Sequence, residues 1–149
     1  MKKLILSVFA FLSLVCAPVI SSAQDVKIGK GRIITKGKDL AILALGTRVN
    51  SALKVADHLL QDNLKITVAD ARFAKPIDTQ LLEKLWNEHQ KLIIVEEGSA
   101  GGFSSHCLHF LSSKNLLNKH DKEIKCLTMP DDFQDHASQN QQLAKAGLD

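Results

Sequence analysis

Six consecutive apolar residues, Leu40 to Leu45, are stopped by Gly46 and begin an alternation that recurs along the chain. A run this short, ended by a glycine, is the length of a strand buried on both faces. Thr47 to Gln61 then places Val49, Leu53, Ala56, Leu59 and Leu60 at helical spacing. Leu64 to Val68 returns to a strand pattern. Asp70 to Pro76 is a connecting loop, and Pro76 biases Lys75 away from helix. Asp78 is an N-cap whose carboxylate can accept from free N–H groups of the first turn, opening a helix with Leu81, Leu82, Leu85 and Trp86 on one face. Lys91 to Val95 is the next strand, Glu96 to Gly102 a glycine-rich loop, and Phe103, Cys107, Phe110 and Leu111 mark another helix. Ile124 to Met129 is the last strand, Pro130 to His136 a loop, and Ser138 to Ala146 a short final helix.

Strand and helix in alternation build a largely parallel sheet with helices on both faces, because the crossovers are right-handed. Val26 to Thr35, loosened by Gly29 and Gly31, reads as an irregular or edge strand. Little sequence follows Gly147 to cover the last strand, so one face or edge is expected to be under-covered.

The first 23 residues have a different character. Lys2 and Lys3 precede an apolar run from Leu4 to Val15, and Ser21, Ser22 and Ala23 supply small residues before Gln24. This is the pattern of a secretory signal peptide cleaved after Ala23, and it implies a periplasmic or secreted protein. The run is short for a membrane span, which needs about 20 apolar residues. Residues 24–149 then form one domain of 126 residues, and the formal charge falls from +3 to +1 because Lys2 and Lys3 leave without an acid. Basic and acidic residues are interspersed. The clustered basic footprint of a nucleic-acid binder is missing, as is the basic amphipathic helix of a membrane-surface binder.

Gly98 to Gly102 is the sharpest local feature. Glycines let backbone approach a neighbour closely, and a helix opening at Phe103 would aim free N–H groups at the loop. Ser99, Ser104 and Ser105 could add hydroxyl donors, so the loop is a candidate anion site or a packed structural turn. Glu96 and Glu97 bring negative charge to the same place. The pattern is neither a Walker A loop nor a GxGxxG fingerprint. His106 and His109 can share a helix face and, with Glu96 or Glu97, offer a metal, but a third ligand is only guessed and no HExxH is present. Ser99 or Ser104 with His136 and an aspartate would make a triad only by geometry, and no GxSxG elbow supports one. Arg72, beyond a strand end, suits a carboxylate or phosphate, or a salt bridge to Asp70, Glu96 or Glu97. Cys107 and Cys126 read as small buried hydrophobes, or as a pair in an oxidising compartment.

The segments GKGRIITKGKDLAILALGTRV (29–49), DARFAKPID (70–78), EEGSAGGFSSHCLHFL (96–111), MPDDFQDH (129–136) and the closing AGLD occur in this order. Together they resemble the C-terminal domain of 1-deoxy-D-xylulose-5-phosphate synthase, a transketolase-like enzyme, over residues 26–149. The resemblance implies a three-layer α/β/α sandwich with a mainly parallel five-stranded sheet and an antiparallel edge strand near 27–35. Complete enzymes of that family are homodimers that use thiamine diphosphate and magnesium. They join pyruvate to glyceraldehyde 3-phosphate with loss of carbon dioxide, feeding isoprenoid, thiamine and pyridoxal phosphate synthesis. Their cofactor lies between two preceding domains that this sequence lacks. The resemblance therefore implies an architectural domain with no cofactor of its own and no activity alone. It would act beside a separate chain carrying the thiamine-diphosphate-binding domains, self-associate, or serve as an exported interaction module.

The family loops map onto Glu97, Gly98, Ser99, Gly101, Gly102 and Phe103, and onto Pro130, Asp131, Phe133, Asp135 and His136. With Arg72 and His106, the first set and the Asp135–His136 pair are the candidate interface or anion-binding residues. Ser104 and Ala137 stand where the family usually has glycine, and the family chain continues beyond AGLD. The family works in the cytoplasm or plastids, which conflicts with the export-like leader.

Overall fold

The computed structural model describes residues 26–118 and 121–149. The leader-like segment and Cys16 lie outside these residues. A five-stranded sheet is built from β1 (Arg32–Thr35), β2 (Leu40–Ala44), β3 (Ile66–Asp70), β4 (Lys91–Ser99) and β5 (Glu123–Met129). Its order is β1-β3-β2-β4-β5. β1 runs antiparallel to β3, and the remaining pairings are parallel. Four helices accompany it: α1 (Arg48–Leu60), α2 (Thr79–Glu88), α3 (Phe103–Ser113) and α4 (Gln139–Ala146), with a 3-10 turn at Leu116–Asn118. The architecture is the expected α/β/α sandwich with an antiparallel edge strand.

The alternation of β2 explains the layers. Ala41 and Leu43 face a core with Ala69, Leu82, Leu85, Trp86, Leu92, Ile94, Phe103, Cys107 and Leu111, so α2 and α3 cover this side. Ile42 and Ala44 face the other core, with Ala52, Ala56, Ile66, Val68, Val95, Leu143 and Leu148, so α1 and α4 cover that side. A central parallel strand has to be apolar on both faces, which is what LAILA supplies. The last strand is covered only in part. Leu127 and Met129 pack against the cluster that holds Leu143 and Leu148, yet none of the seven residues of β5 is fully buried.

Local caps set the helix ends. The Asp78 carboxylate accepts from Leu81 N at 3.1 Å, as the sequence implies, and its other oxygen accepts from Gly31 N at 3.1 Å. α4 opens with a Ser138–Gln141 capping box and closes at Gly147 in the left-handed region, φ 66°. The C-terminus of α2 is closed from a distance. The Lys122 ammonium donates to the carbonyls of Trp86 at 2.6 Å and His89 at 2.7 Å, where a cation suits the helix dipole.

Three boundaries differ from the sequence reading. β1 begins only at Arg32, because Lys30 N bonds to Lys27 O and Gly29 turns the chain at φ 70°. β3 starts at Ile66 rather than Leu64, because Lys65 is tied into the preceding turn: its carbonyl accepts from Lys38 N and Asp39 N, and its N–H donates to the Asp39 carboxylate at 2.8 Å. β4 does not stop at Val95 but continues through a register shift to Ser99, which pairs with Met129. Among the described residues no helix is long and apolar enough to cross a membrane.

Candidate functional site

The carboxyl ends of the parallel strands form one edge of the sandwich. The chain changes direction across the sheet between β2 and β4, with β3 on one side of β2 and β4 on the other. In open α/β sheets such a crossing is where ligands and partners are met. Arg72 follows β3, Thr47 and Arg48 follow β2, Glu97 to Ser99 close β4, and the 130–136 loop follows β5.

Glu96 dominates this edge. Its side chain turns inward at the end of β4, and the residue is 3 % exposed. The carboxylate accepts from Phe103 N at 2.9 Å, Ser104 N at 2.7 Å and the Ser104 hydroxyl at 2.8 Å. It is thus the anion seated at the N-terminus of α3, where free N–H groups and the helix dipole favour negative charge. Gly98 and Gly102 make room for it: a Cβ on either would stand 2.5 Å from Glu96 Oε2. The glycine-rich loop does take a carboxylate, but the carboxylate comes from within the chain. Of the two readings of the loop, the Glu96 carboxylate takes the place that an external anion would occupy in the first.

Glu97 takes the opposite direction and stays partly exposed. It accepts from the Thr47 hydroxyl and pairs with Arg48 Nη2 at 3.0 Å. Arg48 is 8 % exposed, and its Nη1 donates to Leu148 O at 2.7 Å. Arg48 Nε has no hydrogen-bond partner. Sequence reading missed Thr47, Arg48 and the role of Glu96. An arginine in the first turn of a helix, where the dipole opposes a cation, was the available signal that an acid must lie nearby.

The other candidates are dispersed. Arg72 adopts φ 59°, with its N–H on Asp70 Oδ1 at 3.0 Å and its Nε 3.9 Å from Asp70 Oδ2. Of the three acids considered for it, Asp70 is the partner. Arg72 lies across β2 from the Glu97–Ser99 loop. Phe103, the first residue of α3, is 3 % exposed and packs in the core with residues of α2 and α3. His106 is half-buried one turn along α3, whereas His109, Asp135 and His136 are exposed. Ser99 is exposed at the end of β4, and Gly101 turns the loop at φ 96° while its N–H donates to the Ser105 hydroxyl. Among the described residues no three His, Cys, Asp or Glu side chains stand together to hold a metal ion. No diphosphate cradle is built from these residues either. The N-termini of α2, α3 and α4 are capped by Asp78, Glu96 and Ser138, and Glu97 lies against the first residues of α1. The residues do not fit a thiamine diphosphate site.

Cys107 and Cys126 are free thiols behind Glu96. Burial pushes the Cys107 thiol from 9.0 up to about 12, with smaller contributions from Cys126 and Glu96. Burial also raises Cys126, while Ser104 opposes the rise. A raised thiol favours the folded state fully below about pH 9. That contribution is lost between about pH 9 and 12, at about 1.4 kcal/mol per pH unit. Denaturant midpoints of the wild type are therefore expected to fall between pH 9 and 10.5 more than those of Cys107→Ala. Equal falls would show that Cys107 is not the group responsible.

A mixed five-stranded sheet between helices, with β1 antiparallel at one edge and the parallel strands' carboxyl ends gathered at one side, defines the class of domain. The family model described as "Transketolase, C-terminal domain" matches residues 29–149, and the chain belongs to this family. A solved structure described as "Split gene transketolase, inactive beta4 tetramer" is 28 % identical, with a TM-score of 0.70 over 83 % of this chain. The chain spans only 38 % of that protein's length. A 2-oxoglutarate:ferredoxin oxidoreductase from Magnetococcus marinus, solved with 2-oxoglutarate, coenzyme A and succinyl-CoA, is 14 % identical over 68 % of this chain and 16 % of its own, with a TM-score of 0.46.

Proposed function

We propose that this chain is the architectural C-terminal domain of a thiamine-diphosphate enzyme of the 1-deoxy-D-xylulose-5-phosphate synthase type, acting beside a separate chain that holds the cofactor. The motifs from DARFAKPID to MPDDFQDH favour the synthase over other transketolase-like enzymes. The observation that carries the reading is Glu96: the N-terminus of α3, which follows the glycine-rich loop, is closed by the chain's own carboxylate. A split-gene relative described as inactive in its tetramer supports division of the enzyme between chains. The companion would meet the carboxyl edge, at Arg72, Glu97, Gly98, Ser99, Gly101, Gly102, His106, Asp135 and His136. Thiamine diphosphate and magnesium would be held by the companion.

The expected result is direct. The purified chain shows no condensation of pyruvate with glyceraldehyde 3-phosphate and no saturable heat of binding with thiamine diphosphate. Adding a chain with the missing domains restores turnover. Turnover by the isolated chain would overturn the reading, and so would failure of the two chains to associate.

The export-like leader favours a second reading, an interaction module of the periplasm or outside the cell. Intact mass separates the two: a chain beginning at Gln24 supports export, and a cytoplasmic chain beginning at Met1 removes it.

A further inference from the structure

Phe133 is fully exposed, at 101 %. An aromatic ring held wholly in water gains nothing for the fold, and such rings are enriched where surfaces meet. The loop around it is anchored from behind: Gln142 Nε2 donates to Asp135 O at 3.1 Å, and Lys145 lies 3.9 Å from the Asp135 carboxylate. Asp131 and Asp132 directly precede Phe133, are exposed, and have no ion-pair partner among the described residues. The loop thus presents one apolar anchor beside two uncompensated negative charges.

The opposite edge of the sheet carries the complement. Along β1 and the turn after it, Arg32, Ile34, Lys36 and Lys38 are exposed at every second position. Ile28 is exposed as well, at 77 %, and Lys27 beside it. From Val26 to Lys38 there is no acidic residue. Lys27, Lys36 and Lys38 have no ion-pair partner among the described residues, whereas Lys30 and Arg32 pair with Asp78 and Asp70. Among the described residues β1 is also unpaired on its outer side. The two patches stand at the two ends of a five-strand sheet, roughly 19 Å apart at about 4.8 Å per strand.

We propose that the Phe133 loop of one copy docks on the β1 edge of a second copy, giving a head-to-tail contact between unlike surfaces. Phe133 covers the exposed isoleucines, and Asp131 and Asp132 meet the lysines. Like surfaces do not meet: loop against loop sets acids against acids, and edge against edge sets lysines against lysines. A heterologous contact repeats until a ring closes or a filament forms.

Sedimentation equilibrium on the full chain tests this, using copies of the chain itself as the probe. Association is expected at about 20 mM salt and is weakened at least tenfold at about 500 mM, where the screening length shrinks to a few ångströms. Phe133→Ser is expected to weaken it at least tenfold as well. D131K/D132K and K36E/K38E are each expected to be monomeric alone and to associate when mixed, since each then supplies the charge the other needs. Circular dichroism checks that both variants are folded, and Phe133→Ser serves if one is not. A wild type that is monomeric at about 1 mM in low salt overturns the proposal. Association of K36E/K38E alone would place the contact loop to loop, and association of D131K/D132K alone would place it edge to edge; either overturns it.

Discussion

Glu96→Ala is expected to destabilise the domain by about 3–5 kcal/mol, with the loss read as a lower urea midpoint. Removing the carboxylate leaves Phe103 N, Ser104 N and the Ser104 hydroxyl without their acceptor in a buried place. Hydrogen bonds to charged groups are worth about 1.5–3 kcal/mol each, and groups that share one acceptor do not add fully. Glu96→Gln, which keeps one carbonyl oxygen, is expected to fall between. The cage around the carboxylate gives a sharper test. In the wild type, Gly98→Ala drives its new methyl against Oε2 of the Glu96 carboxylate, a group that three bonds hold in place. In the Glu96→Ala background nothing else stands close to that methyl, so the cost of Gly98→Ala should largely vanish. Additive costs, or a loss below about 1 kcal/mol for Glu96→Ala, would show that the helix does not rely on this group.

Gly37→Ala is expected to be at least as severe, about 3 kcal/mol or more, or to prevent folding. A Cβ at Gly37 would overlap the Lys65 carbonyl and the Ile66 nitrogen, all of them backbone atoms at the start of β3. Neither side can yield cheaply. Gly37 N donates to the Thr67 hydroxyl at 2.9 Å, and that hydroxyl lies 2.9 Å from Gly37 O and 2.9 Å from His89 Nε2. Thr67 and His89 are both buried, so displacing the turn would strand polar atoms away from water. Gly46→Ala, where the surroundings are open and only the positive φ resists, is expected to cost about 1 kcal/mol. A Gly37→Ala midpoint equal to that of Gly46→Ala would show that the turn has slack.

The layers could be read from the sequence because the central strands and helices carry their own periodicity. LAILA alternates between two cores, and the LLxxLW stripe of α2 lies on one face, so local pattern and tertiary burial agree. Asp78 was legible for the same reason: a cap acts within one turn. Glu96 was not. Nothing local distinguishes it from Glu97, yet one residue turns inward to α3 and the next turns outward to Arg48. Strand alternation sets the two directions, Glu96 following the face of Leu92 and Ile94 and Glu97 that of Ile93 and Val95, but which face meets α3 and which meets α1 is decided by the tertiary fold. Arg48 was hidden by distance as well, since its partners are Glu97 and the backbone of Leu148. Arg72 showed only as a cation beyond a strand; its left-handed backbone and its tie to Asp70 belong to the turn.

The bond from Arg48 to Leu148 O joins residues one hundred positions apart. A guanidinium withdrawn from water beside α1 must wait for the tail to arrive before its charge is fully answered. Synthesis proceeds from the other end, so the first helix of the domain is completed by residues made one hundred positions later. Until then the nascent sheet keeps a cation near its apolar interior, and the incomplete domain is the state most exposed to misassociation in the cell.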